Sequence, residues 1–393
     1  MKLWKAVFLG LFFFKAVSAE AVVSTLVADT KSGFVIESQD ASVPKPPASL
    51  TKLMTLYLTF GALDNGILTM DDELPISERA AAQPRSKIDL IPGETIKVRD
   101  AILALIIKSA NDVAVVLAEA LGENEEQFAD LMTRTAKGLG LKDTVFKNAS
   151  GLHTDGQVST ARDMGILTMA LISHYPKYYP LFATPSFAYR GKSYQSHNAV
   201  LRQYEGAEGL KTGFVSAVGY NIISTAKKDK TRLVSVVLGE DSSAKRDIRA
   251  MRLLDRGFRQ VEIQQKAEAE GRLKSAFNPL NRKALVAKPP IQAFLPLMKT
   301  CWNMCRKKKQ VVRRSVVPQH VPVSEGIEQG DNWSIQVGAF EGEKKARQIA
   351  EKARNILGMT GKEIQTPEPI INFSDPVFRD LPKPAPKRPA NSY

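Results

Sequence analysis

The alternation of apolar and polar positions begins with a hairpin. Ala21 to Val27 is rich in strand formers, Asp29 to Gly33 supplies turn chemistry, and Phe34-Val35-Ile36 resumes the strand. Pro46 and Pro47 then stand before a helix beginning near Ser49, whose apolar residues Leu50, Leu53, Met54, Tyr57 and Leu58 recur with helical spacing. A second apolar run, Ala101 to Ile107, breaks at Lys108-Ser109-Ala110-Asn111-Asp112 before another helix, Val113 to Leu121. Three strands follow in succession, Gly209 to Phe214, Gly219 to Ala226 and Leu233 to Leu238. Arg246 to about Glu270 reads as a long amphipathic helix. Strands at both ends with helices between them predict an α+β plan, an antiparallel sheet closed by the two ends of the chain.

The flanks have a different character. Lys2 and Lys5 precede an apolar stretch, Ala6 to Phe14, and small residues at Val17-Ser18-Ala19. That stretch is too short to span a bilayer, so residues 1–19 read as a signal peptide cut after Ala19, with Ala21 the second choice. The sheet-and-helix region then covers 22–262. Residues 275–330 are proline-punctuated and basic, with Arg306-Lys307-Lys308-Lys309 and Arg313-Arg314, and read as a linker. Phe294, Leu297, Met298, Cys301, Trp302 and Cys305 nevertheless share one helical edge. Two readings stand for them: incidental apolar residues in a solvated linker, or a helix lying on an anionic membrane face. Residues 332–380 form a small strand–helix–strand unit, a βαβ arrangement, and 381–393 a disordered Pro- and Lys-rich tail.

Composition narrows the partners. The net charge of +14 favours a polyanionic neighbour, and export makes nucleic acid an unsuitable one, leaving wall polymer or membrane. With two cysteines, Cys301 and Cys305, no disulfide framework holds the main domain. His153, His174, His197 and His320 are scattered without paired ligand spacing, so no metal site is expected.

Three short motifs carry chemistry. Ser49-Leu50-Thr51-Lys52 puts a hydroxyl and an amine three apart at a helix start, on one face. A lysine whose pKa is lowered by burial and positive neighbours can take the serine's proton. Alone the pattern is weak, since about one arises by chance in a chain of this length. Ser109-Ala110-Asn111 sits between two apolar helices, where the serine can relay a proton and the asparagine can hold Lys52 and a substrate amide. Plain capping by Asn111 is the competing reading. Lys211-Thr212-Gly213 opens a strand, where cation and hydroxyl can bind a carboxylate and Gly213 admits a close ligand. An edge lysine and a turn glycine would look the same.

In order, the three resemble the Ser-x-x-Lys, Ser-x-Asn and Lys-Thr-Gly set of serine penicillin-recognising enzymes. Pro47 to Thr55, Asn148 to Leu152 and Gly209 to Phe214 are similar to the low-molecular-mass penicillin-binding proteins, serine-type D-alanyl-D-alanine carboxypeptidases. This resemblance implies a β-lactamase/transpeptidase-like fold and a reaction without metal or organic cofactor. It implies Ser49 as nucleophile, Lys52 as its base, and Ser109 and Asn111 in proton transfer and substrate placement. Lys211 and Thr212 would hold the terminal carboxylate, and the N–H groups of Ser49 and Phe214 would form the oxyanion hole beside Gly213. The substrate class implied is the peptidoglycan stem peptide. Trp333 to Phe340 with the Ala-rich helix after it resembles half of a SPOR domain, which implies binding to denuded glycan strands. A β-lactamase, an endopeptidase cutting cross-links and a non-catalytic wall binder are the alternatives. Against a class A β-lactamase, no glutamate lies between Gln127 and Tyr204.

Overall fold

The computed structural model describes residues 22–270 and 290–316. The signal peptide, the unit at 332–380 and the tail at 381–393 lie outside the described residues.

The chain opens with the expected hairpin, β1 (Ser24–Asp29) and β2 (Val35–Gln39), in which the Asp29 carboxylate accepts from the Ser32 N–H and closes the turn. A 3-10 turn, Ala48–Thr51, leads into α1 (Lys52–Asp64), so Ser49 sits one tight turn ahead of the helix proper. Every residue of α1 except Asp64 is buried, which makes it the central post of the molecule rather than a one-faced surface helix. The small pair β3 (Glu73–Pro75) and β4 (Thr95–Lys97) brackets α2 (Glu78–Ala81) and the segment that follows it. α3 (Val98–Leu103) then runs into a wide π turn, Ala104–Lys108, that ends on Ser109 in left-handed backbone. α4 (Asn111–Leu121), α5 (Glu125–Leu139) and α6 (Ala161–His174) pack around α1. A small hairpin, β5 (Ser186–Tyr189) and β6 (Lys192–Gln195), and the short α7 (Ala199–Gln203) precede the long strands. These are β7 (Ala207–Val215), β8 (Gly219–Lys228) and β9 (Thr231–Glu240), followed by α8 (Ser243–Ala269).

The five strands form one antiparallel sheet in the order β2-β1-β9-β8-β7, so the amino-terminal hairpin is zipped onto the last strand, Val27 opposite Ser235. Strand periodicity divides the core. Leu26, Val234, Val236 and Leu238 face the large core around α1 and α6, while Val27, Leu233 and Val237 face Leu253 and Leu254 of α8. β7 lies at the sheet edge beside the 3-10 turn that carries Ser49.

One sequence expectation changes here. Within the stretch 275–330 read as linker, residues 290–294 make a 3-10 turn and α9 (Leu295–Val316) follows, docked on α4 and β3. Most of the apolar edge assigned to a linker or a membrane face is covered by the main domain instead: Met298, Cys301, Trp302 and Cys305 are buried, as is Ile291 ahead of them, while Leu297 stays exposed. Phe294 stacks under the Arg134 guanidinium of α5, 5.0 Å from its ring centre. Both cysteine side chains are buried, and burial pushes the Cys301 thiol up.

Candidate active site

The 3-10 turn, α4's start and β7's edge converge on a cleft of about 560 Å³. Of the residues singled out from sequence, Ser49, Ser109, Asn111, Thr212, Gly213 and Phe214 line it. Lys52 and Lys211 are buried beside it, with 0% and 2% of their surface exposed, and do not open onto it.

The Lys52 ammonium nitrogen is the hub. Its Nζ lies 3.1 Å from Ser49 Oγ, 2.8 Å from Asn111 Oδ1 and 2.5 Å from the Ser150 carbonyl oxygen. Burial, reinforced by the positive charge of Lys211, holds the Lys52 pKa well below the lysine range, and the Asp112 carboxylate opposes this only in part. A buried amine that readily gives up its proton, at hydrogen-bond distance from a hydroxyl, is a base for that hydroxyl.

Asn111 does not cap α4; Ala110 occupies that position and makes no side-chain cap. The Asn111 carbonyl is spent on Lys52, and its Nδ2 donates to the Pro84 carbonyl at 2.9 Å. Ser109, at φ 60° and ψ 39°, turns its hydroxyl toward the cleft lining; among the described residues that buried Oγ has no hydrogen-bond partner. An unsatisfied hydroxyl is costly in a resting protein and useful where a substrate nitrogen will arrive.

The Ser150 carbonyl is the member sequence reasoning missed. Asn148 to Leu152 entered only as part of a resemblance, without a role. Here Asn148 Oδ1 accepts from the Gly151 N–H at 2.7 Å, Glu125 Oε1 of α5 accepts from the Ala149 N–H at 3.1 Å, and Thr55 Oγ1 of α1 donates to the Ala149 carbonyl at 2.8 Å, which fixes the loop between the two helices. Gly151 has φ +82°, and a Cβ there would fall 1.8 Å from the Ala48 carbonyl oxygen. The loop thus backs directly onto the turn that carries Ser49, and only glycine permits it.

On the other wall Gly213 performs the same service: a Cβ would meet the Ser49 nitrogen at 3.1 Å. Asn221 of β8 donates to the Pro46 carbonyl at 3.2 Å and ties the turn to the sheet. Lys211 Nζ donates to the Thr212 carbonyl at 3.0 Å; burial, then the nearby Arg246 guanidinium, pull its pKa down to about 7. Phe214 stands exposed at the rim, its ring 4.5 Å from that of Tyr220.

Three further cleft residues were invisible as chemistry in the sequence. Arg246, in the first turn of α8, donates to the Asp247 carboxylate at 2.7 Å and faces the cleft beside Ser243 and Tyr220. His197 is pushed below the usual histidine range by burial and by Lys211, so its imidazole is neutral at neutral pH. Arg85 lies on the wall next to Ser86. None belongs to a motif; each arrives through tertiary packing.

A half-buried serine hydroxyl 3.1 Å from a buried lysine amine, an orphaned hydroxyl and a second buried lysine beneath a strand edge make a geometry suited to serine acyl transfer. Residues 15–242 match the D-alanyl-D-alanine carboxypeptidase family, and the chain belongs to it. It is 33% identical over 248 residues to D-alanyl-D-alanine carboxypeptidase DacF of Bacillus subtilis, and 34% identical over 258 residues to DacD of Escherichia coli. These matches cover 62% and 63% of this chain, and 64% and 66% of the relatives, so the shared part spans just under two thirds of their length. Among solved structures, penicillin binding protein 6B from Escherichia coli superimposes with a TM-score of 0.57 at 34% identity, over 59% of this chain and 76% of that one. Penicillin-Binding Protein D2 from Listeria monocytogenes, in an ampicillin-bound form, gives 0.53 at 34% identity over 60% of this chain and 96% of that one. The fold is therefore that of the penicillin-binding proteins, as the motif resemblance implied.

Proposed function

We propose that the chain is an exported serine D-alanyl-D-alanine carboxypeptidase that trims peptidoglycan stem peptides and is acylated by penicillins. The 3.1 Å approach of the buried Lys52 amine to Ser49 Oγ carries this reading. Neutral Lys52 takes the Ser49 proton as Oγ attacks the carbonyl carbon between the two D-alanines. Backbone N–H groups of Ser49 and Phe214 stabilise the oxyanion. As the C–N bond breaks, Ser109 relays a proton to the leaving D-alanine nitrogen. Water then cleaves the Ser49 ester, and Ser49 Oγ recovers its proton. Thr212 contacts the departing carboxylate and Arg246 faces it, while Lys211 supplies positive potential from beneath.

Incubation with a labelled penicillin should give one covalent label per chain in the wild type and none in Ser49→Ala; label retained in that variant would overturn the nucleophile. Release of D-alanine from a pentapeptide, run beside cleavage of a cross-linked dimer, separates carboxypeptidase from endopeptidase. Among the described residues lining the cleft none is acidic, which favours slow release of a penicilloyl group over β-lactamase turnover.

The SPOR-like unit at 332–380 would add affinity for denuded glycan strands, and the basic run at 306–314 would add peripheral attraction to anionic membrane. Deleting residues 332–393 should leave pentapeptide turnover intact and reduce sedimentation with peptidoglycan; unchanged sedimentation would exclude the tail as a wall anchor.

A further inference from the structure

Another part of the cleft wall is a short segment, residues 84–90, clipped in place by four bonds to its backbone and one from a side chain. The Asn111 N–H donates to the Ser86 carbonyl at 2.7 Å, and Asn111 Nδ2 to that of Pro84 at 2.9 Å. Ser86 Oγ donates to the Lys108 carbonyl at 2.8 Å. The buried Asp112 carboxylate accepts from the N–H groups of Ile88 and Leu90, at 3.1 and 3.2 Å. Arg85 projects from this fixed segment as an exposed, cleft-lining side chain. Among the described residues it has no carboxylate partner, whereas the other cleft arginine, Arg246, is already engaged by Asp247.

The two walls divide the ligand. The leaving D-alanine and its carboxylate belong to the β7 side, beside Thr212. The acyl portion, the part that stays on Ser49, is left the other wall, where Asn111 lines the cleft and Arg85 sits between Pro84 and Ser86, the two residues whose carbonyls Asn111 grips. A rigidly mounted, unpaired guanidinium there is a ready fork for a carboxylate, and an acid-free lining offers it no internal competitor.

We infer that Arg85 is a specificity residue that pairs with a second carboxylate of the substrate, carried on the side chain of the residue preceding the two D-alanines. This rests on the carboxypeptidase reading above, and it selects acidic stem peptides over those that are amidated or carry a lysine at that position.

The test is kcat/KM for three synthetic peptides ending in D-alanyl-D-alanine, with a free side-chain carboxylate, its amide, or a lysine at the preceding position. Wild type should favour the acid peptide over the amide by one to two powers of ten. Arg85→Gln should bring that ratio toward one, and Arg85→Glu should invert the order in favour of the lysine peptide. Stoichiometric penicillin labelling of each variant certifies that it is folded. Equal turnover of acid and amide by wild type, or an undiminished preference in Arg85→Gln, would overturn the assignment of Arg85. No D-alanine release from any peptide by wild type would instead remove the carboxypeptidase reading, and this inference with it.

Discussion

Two buried amines set opposite demands on the same site. In the proposed reaction Lys52 is neutral when it takes the Ser49 proton, whereas Lys211, whose pKa is pulled down to about 7, is charged to draw an anionic substrate. The free-enzyme profile, kcat/KM against pH, should therefore be bell-shaped: it rises as Lys52 loses its proton and falls above about pH 7 as Lys211 loses its own. Lys211→Arg keeps the charge and should push the alkaline limb upward; a limb that stays put would assign it to another group. Stability follows the same proton. The unfolded state holds the Lys211 proton up to the ordinary lysine range while the folded state releases it near 7, so more protons are bound in the unfolded chain across that window. Folding stability should climb as pH rises through it, and Lys211→Met should flatten the climb, read from urea midpoints at stepped pH. Ser49, Lys52, Ser109, Asn111, Thr212 and Gly213 were legible as motifs of residue type and spacing, but Lys211 to Gly213, expected to open a strand, lie in the middle of β7, which already begins at Ala207. That Lys211 lies beneath the cleft was not legible, because a motif gives residue type and order but not depth. Arg246 and the Ser150 carbonyl escaped for a related reason: one opens an ordinary amphipathic helix, and the other is a backbone atom that every residue possesses.

Elements here do more than hold residues apart. The Asn148–Leu152 loop presses on the 3-10 turn so closely that Gly151→Ala cannot keep both in place. That substitution should cost on the order of 1–3 kcal/mol from left-handed backbone alone and more from the contact with Ala48. It should also slow penicillin acylation far beyond what the loss of stability explains; a wild-type acylation rate would disprove the coupling. On the opposite face, α9 buries Met298 and Trp302 against the domain. Trp302→Ala should destabilise by about 3–5 kcal/mol, measured by denaturant, while acylation of the protein that remains folded proceeds normally. A shift below about 1 kcal/mol would show that the helix contributes little. The helical spacing of this segment was visible in the sequence, but the surface that covers it, on α4 and β3, exists only after folding. With that surface unseen, a basic, proline-flanked stretch reads as linker.

At the scale of the whole molecule, the closing of the sheet by the first and last strands of the domain follows from little more than strand-forming runs at both of the domain's ends. The prediction that the ends would meet required no motif at all, only that an exposed two-stranded ribbon is unstable alone. What the pattern did not contain was the division of labour between the two faces, one serving the large core around α1 and the other α8. That division depends on which alternate residues of β1 and β9 align, and the register is settled only by pairing Val27 with Ser235.

The same zipper orders events in time. Residues 24–29 are made first, yet their partner strand, 231–240, is among the last parts of the domain to be synthesised. The turn carrying Ser49 is tied to Asn221, which also arrives late. A growing chain cannot finish the sheet, nor tie the Ser49 turn to it, until nearly the whole domain is available. Contacts so distant in sequence make folding slow. On the proposed reading, acylation of Ser49 therefore reports that β1, β8 and β9 have already come together.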